Sequence, residues 1–562
     1  MPQSPRISTV LFVAVAAIAF LVGRISFSQN KLDDRSSADR SLASTHDHSH
    51  VCRHRLSEST SRTSPVLCPI QPESFSVGPE WDPSHDGPTK TSLIEKLAGA
   101  IRIRTETFDD MPVNATDSGF DVFYEFEAYL KKAFPLFHKT LQFERVNEHG
   151  LLFTWQGTRP DLKPMLLMAH QDVVPVNPST LHLWKHPPFD AHMDEDGWIW
   201  GRGTTDMKAT LIALWASAER LIEEGFEPER TIIFSHGFDE EIQGPRGAKE
   251  LAKVILKRYG QEGISIIVDE GFNGVDTEYG TTFARVGTAE KGCLTVTIAI
   301  STPGGHSSRP PSHTGVGIMS RLIVEMEDNP NQPRFLEGNP LLSYLECAAE
   351  YGDMDESLRA QIREKECWPA LADEFGQDRI LQTFLKTTQA VDIFNGGIKY
   401  NALPESVTSI TNYRIDFFET TQDTLDRLDK ILRPLAAEYN MSFASFGQTP
   451  TTDENLIQLD TMGIRLEPAP ITPPTGHAWD LMGGTIKHIF PGAVVVPSGM
   501  TAFTDTQYFW DVSTHIYRFA PASLELIKNY HTVNERIHVD AYMSTMQFFY
   551  KLMRNSVGWQ SP

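Results

Sequence analysis

His170, Asp206, Glu240, Glu241, Asp269 and His531 are spread over about 360 positions, yet each lies in a local frame suited to holding a divalent cation. The frames are MLLMAHQDVVPV (165–176), GRGTTDMKATL (201–211), IIFSHGFDEEIQG (232–244), IIVDEG (266–271) and HTVNERI (531–537). Two divalent ions about 3.5–4 Å apart require neutral imidazoles, carboxylates and one oxygen donor shared between them, and such a pair suits hydrolysis. Taken singly, each residue has a plainer reading. Asp206 would cap a helix, Asp269 would serve a turn at a strand end, and His531 would be a surface histidine. Their joint occurrence in this order carries the metal reading.

The elements that must position them alternate between helix and strand from about residue 91. TSLIEKLAGAIRI has helical spacing, GLLFTWQG and PMLLMAH have strand character, and the helical TLIALWASAERLIEEG precedes the strands RTIIFSH and ISIIVDE. This predicts an α/β catalytic domain, a mixed sheet flanked by helices, with ligand-bearing loops at strand C-termini. After about 290 the pattern becomes β-α-β-β-α-β, a ferredoxin-like α+β lid inserted into the catalytic domain. The expected divisions are an N-terminal segment at 1–27, a linker at 28–90, the leading catalytic segment at 91–289, the lid at 290–450 with a helical insertion at 330–390, and the closing catalytic segment at 451–562.

Together the five frames resemble the M20 family of di-zinc peptidases and acylamino-acid hydrolases, most closely its carboxypeptidase S branch. The resemblance implies that Asp206 bridges two zinc ions, one also held by His170 and Asp269 and the other by Glu241 and His531; cobalt or manganese suits the same donors. It implies that Asp172 orients His170, that Glu240 is the general base, and that the Asp206–Met207 peptide is cis. In the lid, His306 of STPGGHSSRP (301–310) matches an oxyanion donor, while Asn401 and Arg414 match substrate-binding positions. A planar guanidinium grips a free α-carboxylate in bidentate fashion, which points to carboxypeptidase or acylamino-acid chemistry. Ser498 and Gly499 match a loop near the substrate, with Thr504 and Asp505 close by. Gln243 departs from the pattern, standing where glycine is common, as do Thr506 and Gln507. The implied substrate is a small peptide or an N-acyl amino acid, and a homodimer is known among relatives of this kind. The rival of another class is a receptor or scaffold that kept the fold and lost catalysis; its signature, a missing ligand or base, is absent.

Composition narrows the rest. The chain has 562 residues, 50 basic against 73 acidic, for a net charge of −23. That balance disfavours nucleic acid and anionic lipid as partners. Residues 10–23, VLFVAVAAIAFLVG, form an apolar run extendable to about 27, a membrane anchor or a cleavable signal peptide. Either delivers the remainder to a lumen, and the resemblance suggests a vacuolar or lysosome-like one, with secretion as the alternative. Sequons at Asn114 and Asn440 are compatible with that. Residues 28–90 read as a solvated stalk, including the histidine-rich THDHSHVCRHR (45–55). Of five cysteines at least one must stay unpaired within the chain; Cys52 and Cys68 are placed to bridge one another, with Cys293, Cys347 and Cys367 as core thiols.

Overall fold

MLLM, IIFSH and IIVD are buried along their whole lengths and form the parallel centre of the larger sheet. Continuous apolar runs of this kind suit strands covered on both faces. The computed structural model describes residues 51–52, 68–271 and 274–559. The apolar run at 10–27 lies outside them; among the described residues no helix is long and apolar enough to cross a membrane.

The nine-stranded sheet runs in the order Gln142–Val146, Gly150–Trp155, Ile232–His236, Met165–Met168, Ile266–Asp269, Ile516–Arg518, Thr281–Glu290, Val494–Met500, with Val275–Glu278 paired to Thr281–Glu290. Alternation along the central strands divides the core. Met165 and Leu167 face a cluster built with the helices Gly87–Arg102, Lys208–Glu223 and Val539–Asn555. Leu166 and Met168 face the opposite one, which holds Leu251 and Ile255 of the helix Ala248–Tyr259. The central strands all end on one edge, where open α/β sheets bind ligands.

The lid is a five-stranded sheet in the order Thr388–Gly396, Ser406–Ile415, Gly292–Ser301, Leu456–Leu466, Ser442–Ser445. Alternating burial from Leu294 to Ser301 and along Ser406–Ile415 lets one face pack on the helices Gly315–Asp328 and Thr421–Glu438. The expected β-α-β-β-α-β order is present, with one addition. Leu456–Leu466 inserts between Gly292–Ser301 and Ser442–Ser445, so the lid extends to about 466 rather than 450.

The insertion at 330–390 is helical, as expected, with helices Pro340–Tyr351, Glu356–Arg363 and Trp368–Phe375. It packs on the catalytic sheet: Leu342, Leu345 and Ala348 share a core with Phe283, Val494 and Val496. An edge strand is thereby covered.

Two expectations about the N-terminal region are corrected. Residues 68–86 are a strap bound to the catalytic domain: the Gln71 side chain donates to the Val495 carbonyl (2.9 Å) and accepts from its amide (2.8 Å), and Val77 N donates to Asn555 (2.8 Å). The first catalytic helix begins at Gly87, capped by Asp86. Cys52 and Cys68 do not pair with each other. Cys52 is bonded to Cys367 and Cys68 to Cys347, both partners lying in the insertion; only Cys293 is a free, buried thiol.

Candidate metal centre

Asp206 stands between two imidazoles. Its Oδ1 lies 2.9 Å from His170 Nε2 and its Oδ2 2.8 Å from His531 Nε2. Glu241 Oε2 is 3.2 Å from the same His531 nitrogen, and Glu270 Oε1 is 3.5 Å from His170 Nε2. Two triads of donor atoms therefore share one carboxylate, His170–Asp206–Glu270 and Asp206–Glu241–His531, while Glu240 groups with His170 and Glu241. As predicted, the Asp206–Met207 peptide is cis.

Most of the donors come from element ends, whereas His531 lies in the turn between Ile527–Lys528 and Arg536–His538. His170 follows the strand Met165–Met168, and Glu240 and Glu241 lie in a single turn after Ile232–His236. Asp172 locks these two together. Its carboxylate accepts from the amides of Glu240 (3.1 Å) and Glu241 (3.0 Å) and from the Thr107 hydroxyl (2.7 Å), and its Oδ1 lies 3.3 Å from His170 Nδ1. The His170 Nδ1 also faces the Asp172 carbonyl at 2.9 Å. A proton on Nδ1 satisfies both oxygens and leaves Nε2 as a donor atom for a cation. Asp239, beside Glu240, is a clamp for the turn: it accepts from the amides of Arg246 (2.9 Å) and Gly247 (2.8 Å), and burial, then the Asp172 charge, pushes it up to about 6. Gln243 ends the turn at φ 76, the left-handed region glycine enters freely, which accounts for glycine being common at this position; Gln243 holds the same backbone with a side chain.

Glu270, which the sequence reading left out, supplies a donor to one triad, and Asp269 is not among the atoms of the three groups. The two residues diverge at the end of the strand Ile266–Asp269. Glu270 turns its Oε1 toward His170 Nε2, whereas Asp269 feels His170, Glu290 and Arg518 as its charged neighbours, and among the described residues its buried Oδ2 has no hydrogen-bond partner. The IIVDEG frame contained both acids; strand alternation alone left open which of them faces inward.

The electrostatics suit cations. Burial, then Asp206, pushes Glu241 up to about 7 and Glu270 well above the ordinary carboxylate range. Burial, then Glu270, raises Glu240 likewise. Burial works against ionising Asp206, but hydrogen bonds from His170 and His531 hold it far below its usual value. Burial also opposes charge on His531 and is outweighed by Asp206 and Glu241, which draw it up to about 11. Carboxylates crowded out of water with two imidazoles turned toward them form a donor set that divalent ions fit.

The lid residues form a second group. His306 is exposed on a two-residue ribbon, Gly305–His306 paired with Ala402–Leu403, so Asn401 lies at its side. The Ser308 amide donates to His306 Nδ1 at 3.1 Å, which leaves the proton on Nε2 and makes that atom a donor. Arg414 is half-buried, its guanidinium 5.4 Å from the ring centre of Phe503 in the catalytic domain. Among the described residues it has no carboxylate partner, and no hydrogen bond or ion pair joins His306, Asn401 or Arg414 to the metal cluster. Gly499 has a packing reason of its own, since a Cβ there would meet Phe417 at 2.6 Å. Ser498, in the same strand, accepts through its carbonyl from Thr288 (3.3 Å).

A family model described as peptidase family M20/M25/M40 matches residues 166–555. Carboxypeptidase S of Saccharomyces cerevisiae is 41% identical over 491 residues, 84% of this chain and 85% of that one. The N-fatty-acyl-amino acid synthase/hydrolase PM20D1 of Mus musculus is 30% identical over 486 residues, 84% of this chain and 89% of that one. Among solved structures, the M20 family metallo-carboxypeptidase Sso-CP2 from Sulfolobus solfataricus shares the fold, with a TM-score of 0.57 at 17% identity, covering 83% of this chain and 99% of its own.

Proposed function

Because the chain belongs to peptidase family M20/M25/M40, we propose that it is a di-zinc metallocarboxypeptidase that removes the C-terminal residue of short peptides in an oxidising lumen. The observation that carries this reading is Asp206 with one imidazole on each oxygen, at the shared corner of two donor triads. His170 and Glu270 would hold one ion, Glu241 and His531 the other, with Asp206 common to both. When bound, such ions polarise a carbonyl and lower the pKa of water to near neutrality.

The protein groups supply the rest. Glu240, whose carboxylate is raised by burial, takes a proton from the attacking water at its side-chain oxygen and returns it to the leaving nitrogen. Asp172 holds the Glu240–Glu241 turn and the His170 ring in one arrangement. His306 Nε2 donates to the oxygen that gains charge as the carbonyl is attacked. Arg414, without an anionic partner among the described residues, grips the substrate α-carboxylate, with Asn401 beside the ribbon to fix the peptide.

The higher identity to carboxypeptidase S supports peptide substrates. The relation to PM20D1 supports a second reading, hydrolysis of N-acyl amino acids by the same machinery. Two disulfides support an oxidising compartment, which we propose to be a vacuolar or lysosome-like lumen, with the N-terminal apolar run as anchor.

The test is hydrolysis of blocked glycyl dipeptides beside N-fatty-acyl amino acids by the purified zinc-loaded protein, with Glu240→Gln as control. Faster dipeptide cleavage that vanishes in the control supports the proposal. Preference for acyl substrates moves the chain to the second reading, and inactivity on both refutes the two together.

A further inference from the structure

Glu535 is fully buried and is no candidate ligand, yet its side chain contacts the loop that carries the shared carboxylate at four points. Its side chain pairs with the Arg202 guanidinium, accepts from the Thr205 amide and hydroxyl, both at 2.9 Å, and meets the Asp206 amide at 3.4 Å. Its carbonyl accepts from Gly201 at 3.0 Å. The residues that follow, Arg536–His538, pair with the strand Trp198–Trp200, which leads into the same loop.

On its other side Glu535 ends the segment that carries His531, four residues earlier. That segment is folded tightly: Asn529, His531 and Asn534 all have left-handed backbones, at φ 66, 56 and 63. The Asn529 side-chain amide donates to the carbonyls of Val533 (3.1 Å) and Asn534 (3.2 Å). The 2.8 Å approach of His531 Nε2 to Asp206 Oδ2 is thus made between two loops that meet at one buried carboxylate.

We propose that Glu535 is a positioning residue for the metal centre: by holding the Thr205–Asp206 backbone against the His531 segment, it sets the spacing of the Asp206–Glu241–His531 triad. This rests on the two-cation reading of the centre. A plain structural ion pair with Arg202 is the alternative, but three of the four contacts go to Thr205 and Asp206, the end of the loop that presents the ligand. Replacing Glu535 with Gln keeps its volume, removes its charge and turns one acceptor into a donor facing other donors. Partners of this kind influence metal affinity by about 10–100-fold.

The experiment titrates metal-free full-length protein with zinc against a chromophoric chelator, for the parent, Glu535→Gln, Arg202→Met and Thr205→Val, and records the melting temperature of each metal-free form. The expected result is two ions in the parent and, in Glu535→Gln, one site weakened by about 10–100-fold with the other retained, a split that Arg202→Met does not reproduce at equal loss of melting temperature. Two sites of parental affinity in Glu535→Gln, with only the metal-free melting temperature lowered, would overturn the proposal. If Glu535→Gln does not fold, Thr205→Val decides: a few-fold loss at one site supports the proposal and unchanged binding overturns it. A parent that takes up fewer than two ions refutes the two-cation reading itself, and this proposal with it.

Discussion

Asp269 and Glu270 are adjacent acids of similar chemistry, and only Glu270 reaches His170 Nε2, at 3.5 Å. Glu270→Gln is therefore expected to lose one of two bound ions, while Asp269→Asn keeps both; elemental analysis after dialysis separates the outcomes. Glu240→Gln should retain both ions and lose about 10²–10⁴-fold in kcat, since a positioned base contributes that much. A variant that loses activity and metal together would instead make Glu240 a ligand. At this scale most of the centre was legible in the sequence. His170, Asp206 and Glu241 converge because each frame ties a donor to an element end, and His531 joins them from a tight turn. Glu270 was missed because the direction of a side chain just past a strand depends on backbone twist, which residue identity does not encode. Thr107 and Glu535 carried no local signal, because their roles exist only across contacts to residues 65 and more than 300 positions away.

The central strands could be read from unbroken apolar runs, but one of them hides a histidine with a different task. His236 ends Ile232–His236, fully buried, with its Nε2 accepting from Trp215 Nε1 at 2.9 Å and its Nδ1 donating to the Ala169 carbonyl at 2.8 Å. Burial holds this imidazole neutral, down at about 4. In the unfolded chain it titrates near 6.5, so between these values the unfolded state takes up a proton that the native state refuses. The stability concerned is present in full above pH 6.5 and is lost as pH falls toward 4. Between pH 7.5 and 4.5 the parent should lose about 2–3 kcal/mol more than His236→Gln, measured by urea denaturation at the two pH values. Equal losses would show that His236 does not titrate in this way. Elsewhere at this scale the sequence was less informative. The strand Leu456–Leu466, LIQLDTMGIRL, is exposed along much of its second half and lacks the apolar alternation that marks its neighbours, which hid its place in the lid sheet. The insertion read correctly as helical, but which surface its apolar faces cover is a question of tertiary packing that periodicity does not answer.

For the molecule as a whole, the α/β catalytic domain and inserted lid follow from the order of apolar periods along the chain, whereas the covalent framework does not. The paired cysteines stand 279 and 315 residues apart, and connectivity cannot be deduced from cysteine positions. Cys68→Ser with Cys347→Ser is expected to lower stability by about 2–4 kcal/mol, read as a shift of the denaturation midpoint under non-reducing conditions. An unchanged midpoint would mean that the insertion and strap hold one another without the bond. If the N-terminal apolar run is an anchor, as proposed, the Cys52–Cys367 bond also bears on release from the membrane. A protease that cuts once between residues 53 and 67 severs the backbone yet liberates nothing, because residues 1–52 remain tied to the insertion through Cys367. Such a nicked molecule would run as one band on a denaturing gel without reductant and as two with it. Only a cut on the N-terminal side of Cys52, or reduction of that bond in the nicked molecule, would set the enzyme free of such an anchor.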